Sequence, residues 1–217
     1  MLCQIIFHQL VDLIKMLILL LLIFFQDCKE QLDNGNKNSG FYRILVPKME
    51  PFDVFCDMTT SGGGWTLIQR RESGEVYFSN RTWIEYEEGF GEIASSFWLG
   101  LKKIADSIQN YKLTISPAKA GNLTEYTTGD KFFIMNNGRA FTTIDRDNDK
   151  FVGNCAQFRD FGGWWHNDCS YVALNGRYGD SSWKMRGLYW FYSIGQRPVV
   201  SYHIKPKRTV MKIRPNE

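Results

Sequence analysis

The sequence predicts an α+β fold built on antiparallel strands, with few short helices and a long, loop-rich C-terminal region. Three observations point there. Short apolar runs with strand-like alternation are separated by clusters of Gly, Pro, Asn and Asp. Beyond residue 140 the chain is rich in Gly, Asn, Asp and aromatic residues and shows little regular period. Aromatic residues make up 15% of the 217 positions, seven Trp among them, a load that suits irregular loops packed around rings better than a helical bundle. The length is that of one domain, or of one domain with a compact subdomain.

The elements follow in chain order. Residues 16–25 (MLILLLLIFF) form an uninterrupted apolar run after Lys15. A spanning helix needs about 20 such residues and a secretory signal about 7–15. Residues 1–26 are therefore expected to be a signal peptide, or an uncleaved signal-anchor, and residues 27–217 the folded domain. Residues 33–40 (DNGNKNSG) are turn-forming. Residues 41–46 and 53–56 read as strands set apart by Pro47 and Pro51, and the loop Ser61-Gly62-Gly63-Gly64 leads into a third strand over 65–70. Residues 82–90 have mixed periodicity. Phe97, Leu101, Ile104 and Ile108 are spaced as on one helix face, which predicts a short amphipathic helix over 97–109. Residues 111–115 alternate as a strand does, and 210–213 form a last strand before Pro215.

A net charge of +3, with both signs interspersed, gives neither the basic stripe of a nucleic-acid binder nor an acidic tail. Cys3 falls in the leader, which leaves Cys28, Cys56, Cys155 and Cys169 and three connectivities. The sequential pairing would close two short loops, each contributing roughly 3 kcal/mol in the chain-entropy model. Glycosylation sequons at Asn80 and Asn122 agree with secretion. No GxSxG, HExxH, CxxC or GxGxxG string is present. Of the three His, His8 lies in the leader, and His166 and His203 have no evident partner, so an enzyme is not expected.

Residues 145–153 (DRDNDKFVG) place Asp145, Asp147 and Asp149 at alternate positions. A hard cation such as calcium takes oxygens from carboxylates, carbonyls and water, and carboxylates two residues apart can converge in a looping backbone. An EF-hand is excluded, because Lys150 and Ala156 stand where it needs Gly and Glu. A solvated Asp/Asn turn is the other reading of the same string.

Asn154-Cys155-Ala156, Gly162-Gly163-Trp164-Trp165, Cys169 and Leu174-Asn175-Gly176 follow that loop in order. Before it stand Ser39-Gly40-Phe41-Tyr42, Phe55-Cys56-Asp57-Met58, Gly62-Gly63-Gly64-Trp65 and Phe97-Trp98-Leu99-Gly100-Leu101. Met211-Lys212-Ile213-Arg214-Pro215 closes the series. Together they resemble the fibrinogen-related domain of fibrinogen β and γ chains, ficolins, tenascins and angiopoietins, from about residue 27 to 216.

The resemblance implies a fibrinogen C-terminal-like fold with a twisted antiparallel sheet, disulfides Cys28–Cys56 and Cys155–Cys169, and a C-terminal calcium-binding subdomain. It implies calcium on the Asp147 and Asp149 side chains and the Phe151 and Gly153 carbonyls, with Asp145 and Asn148 shaping the loop. It also implies a ligand pocket beside the second disulfide, around an unusual peptide bond between Asp168 and Cys169, followed by Ser170. His166 would flank that pocket or lie on the surface, and Trp164 and Trp165 would be core and pocket wall. Three departures stand out. Residues 181–186 (SSWKMR) replace a Tyr-Ala pair, so that Trp183 would supply the aromatic wall while Lys184 or Met185 narrows an acetyl slot. Residues 114–137 form a shortened bridge where relatives carry further strands of the sheet, and 191–206 depart from the tryptophan-rich ending of the family. The expected function is that of a secreted, calcium-dependent recognition module of lectin-like, innate-immune type, binding glycans or acetylated groups. The alternative is a matrix or signalling ligand that binds a protein receptor through the same domain. No nucleic-acid partner and no membrane span after leader cleavage are expected, and self-association of the domain is the route to multivalent binding.

Overall fold

The computed structural model describes residues 25–105, 107, 109–115, 131–180, 185–194 and 200–215. Residues 1–24 of the expected leader, Asn122, Trp183 and Lys184 lie outside the described residues. The chain divides into two compact units, Met1–Leu67 with Lys212–Glu217, and Ile68–Met211.

In the first unit, helix α1 (Cys28–Asp33) starts where Asp27 accepts the backbone N–H groups of Lys29 and Glu30 at 2.7 and 3.0 Å. Strands β1 (Gly40–Ile44) and β2 (Phe52–Asp57) are antiparallel, with Gly40 opposite Cys56 and Ile44 opposite Phe52. Cys56 and Asp57 in turn pair with Thr66 and Trp65 at the head of strand β3 (Trp65–Arg71). The fully buried Cys28–Cys56 disulfide ties α1 to β2. The Gly-rich turn is sterically required. Gly63 has φ +76°, and a Cβ there would lie 2.2 Å from the Met58 carbonyl oxygen. Beyond the turn, Arg214 stacks on Trp65 at 4.5 Å, and Lys212 pairs with Asp57 at 2.7 Å. Both cations belong to the end of the chain, where strand β9 (Thr209–Ile213) closes the sequence.

In the second unit, the remainder of β3 pairs with β5 (Phe97–Trp98), which also pairs with β4 (Phe90–Gly91). Helix α2 (Trp83–Glu88) is capped by Glu85, whose carboxylate accepts the Thr82 backbone N–H and hydroxyl, both at 2.8 Å. Trp83, Tyr86, Trp98, Phe141, Trp164 and Trp165 pack into one buried aromatic cluster, which accounts for the heavy aromatic content. Gly163 sits flat on Tyr86, and a Cβ there would come within 2.4 Å of the ring.

The described residues of 97–109, which leave out Asp106 and Ile108, do not form the helix their spacing predicts. Phe97 and Trp98 are strand, and Gly100, at φ +112°, turns the chain where a Cβ would meet the Glu88 carbonyl at 2.6 Å. Only Leu101–Lys103 then make a 3-10 turn. The strand expected over 111–115 is also replaced. Gln109, Asn110 and Tyr111 are all left-handed, with φ of 56°, 54° and 53°, and regular pairing cannot pass through them. The two ends of the 114–137 bridge instead bond to one another. Leu113 donates to the Arg139 carbonyl at 2.9 Å, and Gly138 donates to the Leu113 carbonyl at 2.8 Å. Helix α3 (Lys131–Asn136) lies just before that junction. Strands β6 (Val172–Ala173), β7 (Tyr189–Ile194) and β8 (Val200–Ile204) form a second antiparallel sheet. Within the unusual 191–206 stretch, the described residues 191–194 and 200–204 thus lie in two paired antiparallel strands, with Trp190 opposite Ile204 and Ile194 opposite Val200.

Candidate functional site

The acidic loop is built by its own side chains. Asp145 accepts the Trp83 backbone N–H at 2.8 Å and the Thr143 hydroxyl at 2.7 Å, which anchors the loop to the start of α2. Asn148 donates to the Phe141 carbonyl and accepts from the Asn110 amide. These two residues shape the loop. Asp147 accepts the Asp149 N–H at 3.1 Å, and Asp149 accepts the N–H groups of Phe151 and Cys155, both at 2.9 Å. Burial pushes the Asp149 carboxyl up to about 6, and the neighbouring Asp147 charge adds to this against the two N–H bonds. Among the described residues no three His, Cys, Asp or Glu side chains converge, so a cation at this loop would take at most two such side chains and complete its shell with backbone oxygens or water. Two carboxylates in a carbonyl-rich turn are the hard oxygen donors that suit calcium. A half-buried carboxylate beside a like charge is the environment a bound cation would relieve.

That loop adjoins a cleft of about 220 Å³. Its apolar wall is Met135, Phe151, Phe158, Phe161, Tyr171 and Met185, and its polar lining is Arg159, Asp168 and Ser170 beside Cys169. The Cys155–Cys169 disulfide joins the end of the acidic loop to the turn that carries Asp168 and Ser170. Lys150 reinforces the junction by donating its N–H to the Asn167 carbonyl at 2.8 Å. Asn136 of α3, fully buried, closes the turn from behind. Its amide donates to the Trp165 carbonyl at 2.7 Å and to the Ser170 hydroxyl at 3.0 Å. The Tyr189 hydroxyl donates to the Ser170 carbonyl.

Of the residues expected in the pocket, Asp168, Cys169 and Ser170 line the cleft, and Phe151 belongs to both the acidic loop and the cleft wall. Met185, expected to narrow the slot, lines it as well. His166 is a correction. It is fully buried rather than at the pocket or on the surface, its Nε2 lies 2.9 Å from the Gly162 carbonyl, and burial lowers its pKa to about 4. It packs against Phe161 because the two-Trp segment before it faces the core. Trp164 and Trp165 are likewise core residues outside the cleft lining. The sequon residue Asn80 is exposed. Met135, Phe158, Arg159, Phe161 and Tyr171 were not foreseen. The signal for Phe158 and Phe161 was the disulfide, since a Cys155–Cys169 bond brings the residues just after Cys155 beside the turn.

Arg159 and Asp160 are held in left-handed conformations, with φ of 61° and 56°. Gly187 donates to the Arg159 carbonyl at 2.8 Å, and Arg177 donates to the Asp160 carbonyl at 2.9 Å. Arg186 grips the Asp160 carboxylate through Nε at 3.0 Å and Nη2 at 2.8 Å.

The chain matches the family described as fibrinogen beta and gamma chains, C-terminal globular domain, over residues 24–109 and 102–216. It is 34% identical to human tenascin-R over 211 residues, covering 83% of this chain and 15% of tenascin-R. It is 35% identical to mouse angiopoietin-4, covering 88% of this chain and 42% of that protein. The chain thus spans only a minor part of the length of these relatives. Among solved structures it resembles the fibrinogen-like globe domain of human ANGPTL2, with a TM-score of 0.71 and 32% identity, covering 89% of this chain and 100% of that one. It also resembles lamprey fibrin D-dimer, complexed with the peptide Gly-His-Arg-Pro-amide, with a TM-score of 0.65 and 31% identity, covering 88% of this chain and 73% of that one.

Proposed function

Because the chain belongs to the family of the fibrinogen beta and gamma C-terminal globular domain, we propose that it is a matrix or signalling ligand that engages a protein receptor through the cleft beside Cys155–Cys169. The chain is extracellular, and its two disulfides are of the kind that persist in an oxidising compartment. Its family is one of recognition modules rather than enzymes. The observation that carries the proposal is the cleft lining, in which six of ten residues are apolar or aromatic and Met135 and Met185 both contribute. Such a wall suits a peptide side chain, and methionine adapts readily to protein partners. The ligand in the lamprey fibrin structure is itself a short peptide. Calcium on Asp147, Asp149 and the Phe151 and Gly153 carbonyls would fix the loop that carries Phe151 into the cleft.

The second reading, an acetyl-directed lectin, is favoured by the cleft's position beside the second disulfide and by its polar corner at Asp168 and Ser170. One experiment separates the two. The full chain is applied to cells in calcium, with and without prior trypsin treatment of the cells, and with excess N-acetylglucosamine. Binding that trypsin abolishes and the sugar leaves untouched supports the protein-receptor reading. Binding displaced by the sugar would overturn it in favour of the lectin.

A further inference from the structure

The sequon Asn80-Arg81-Thr82 is a motif that the cleft leaves unused, and it stands in a well-fixed turn. Arg81 donates its N–H to the Phe78 carbonyl at 3.3 Å, which closes a turn over residues 78–81 with Asn80 as its third residue. The turn is held from inside. Phe78 is buried, and its carbonyl also accepts the Tyr86 hydroxyl at 2.8 Å. Ser79 lies so close to Gly162 that a Cβ on that glycine would come within 2.8 Å of the Ser79 Cα. Arg81 ties the turn to α2, donating through Nε to the Tyr77 carbonyl at 2.8 Å and pairing through Nη1 with Glu85 at 2.6 Å. Asn80 itself is exposed, and among the described residues its side-chain amide makes no hydrogen bond. The amides of Asn110, Asn136, Asn148 and Asn154, by contrast, are committed within the fold. An extracellular chain thus presents an uncommitted sequon amide to solvent on a fixed turn.

Two apolar side chains bracket that amide. Tyr77, three residues before Asn80, is 64% exposed, and Ile84, in the first turn of α2, is 55% exposed. Single exposed apolar residues are ordinary on a protein surface. A flat ring and a branched chain on either side of a sequon are a surface that the apolar face and acetyl methyl group of a tethered sugar can cover.

We propose that Asn80 carries an N-linked glycan whose first N-acetylglucosamine lies over Tyr77 and Ile84. The donor is an oligosaccharide linked through a pyrophosphate to a membrane lipid. The Asn80 amide nitrogen bonds to the anomeric carbon of the first sugar, and the bond from that carbon to the pyrophosphate oxygen breaks. One amide proton passes to solvent, and the lipid pyrophosphate leaves. In the folded chain the Thr82 N–H and hydroxyl are both held by Glu85 at 2.8 Å, so the transferase would read the sequon before α2 forms.

The full chain is expressed in cultured animal cells and collected from the medium and the secretory membranes. Peptide N-glycosidase in heavy-oxygen water turns a glycan-bearing Asn into an Asp marked with the heavy isotope. Trypsin then places Asn80 in the peptide 72–81 and Asn122 in the peptide 120–131, so the two sequons are read apart by mass. The mark is expected on 72–81, where Asn80→Gln should abolish it and Thr82→Ser should keep it. An unmarked 72–81 peptide would overturn the proposal, whatever the state of 120–131. The packing of the sugar is read on Tyr77, the one tyrosine of that peptide. Brief iodination of the folded protein should modify Tyr77 several-fold more slowly in the glycosylated chain than in Asn80→Gln. Wild type deglycosylated without denaturation should react as fast as the variant, and all three should react alike once unfolded in urea. Equal Tyr77 rates in the folded glycosylated and deglycosylated chains would overturn the proposed packing.

Discussion

Replacing Asn136 with Ala should destabilise the second unit in a way that starts at the recognition turn. The wild-type amide is fully buried and supplies the donor for two acceptors, the Trp165 carbonyl at 2.7 Å and the Ser170 hydroxyl at 3.0 Å. Ala leaves both acceptors without that donor in a site closed to bulk water. An orphaned buried polar group costs roughly 1–3 kcal/mol. Some of this is recovered, because the Ser170 hydroxyl still accepts the Val172 N–H at 3.1 Å. A loss of about 3 kcal/mol is the expected sum, or roughly 6–12 °C in melting midpoint for a chain of this size. Urea titration followed by Trp fluorescence measures the first figure. Hydrogen exchange should place the earliest loss of protection at residues 165–170. A loss below about 1 kcal/mol, or exchange that rises first elsewhere, would refute the view that Asn136 holds the turn.

Three further outcomes are expected. Under graded reductant, differential alkylation should label Cys155 and Cys169 well before Cys28 and Cys56, because Cys169 lines the cleft whereas both cysteines of the first pair are fully buried. Asp149→Asn should lower calcium affinity at least about tenfold by calorimetry and also cost some stability in EDTA, since each Asp149 oxygen accepts an N–H and the amide keeps only one acceptor, whereas Asp145→Ala, which removes the acceptor of the Trp83 N–H and the Thr143 hydroxyl, should cost stability before metal affinity. In the first unit, burial raises the Asp57 pKa, but the Lys212 ion pair and the bonds from Thr60 and Thr59 outweigh it and hold the carboxyl well below its usual range. A depressed folded pKa contributes stability above the unfolded value of about 3.9, and that contribution fades as pH falls below it. Asp57→Asn should therefore unfold at lower urea than wild type at pH 7, with the difference beginning to narrow below about pH 4 and closing only as pH falls through the depressed folded pKa, so that much of it survives at about pH 3.

Strands β1, β2, β3 and β9 were legible because each is a short alternating run bounded by Gly or Pro, a signal carried within the run itself. The helix over 97–109 was misread for the complementary reason. The i, i+3, i+4 spacing of Phe97, Leu101 and Ile104 is real, but the backbone at Gly100 is decided by the Glu88 carbonyl beside it, which no local window contains. The same holds at the site. The acidic string and the turn after Trp165 could be read from the chain, since Asp147, Asp149, Asp168 and Ser170 lie in short contiguous motifs. Met135 and Arg159 could not, because the first reaches the cleft through an α3 that is only six residues long, and the second through a pair of left-handed residues. His166 was misplaced because its neighbours' exposure, and not its own chemistry, determines where it lies.

The junction at Leu113 also bears on how such a domain can vary. Leu113 bonds to Arg139 and receives a bond from Gly138, so the two flanks of the 114–137 bridge are clasped side by side. Closing a loop between two such fixed points costs entropy that changes by only about 0.6 kcal/mol for each doubling of its length. A loop mounted on such a clasp can vary in length at little entropic cost provided that Met135 and Asn136, which lie inside it, keep their places at the cleft and under the turn. The clasp is a natural port for grafting, where a peptide tag or a second binding module could be inserted close to the cleft without reworking the fold that presents it.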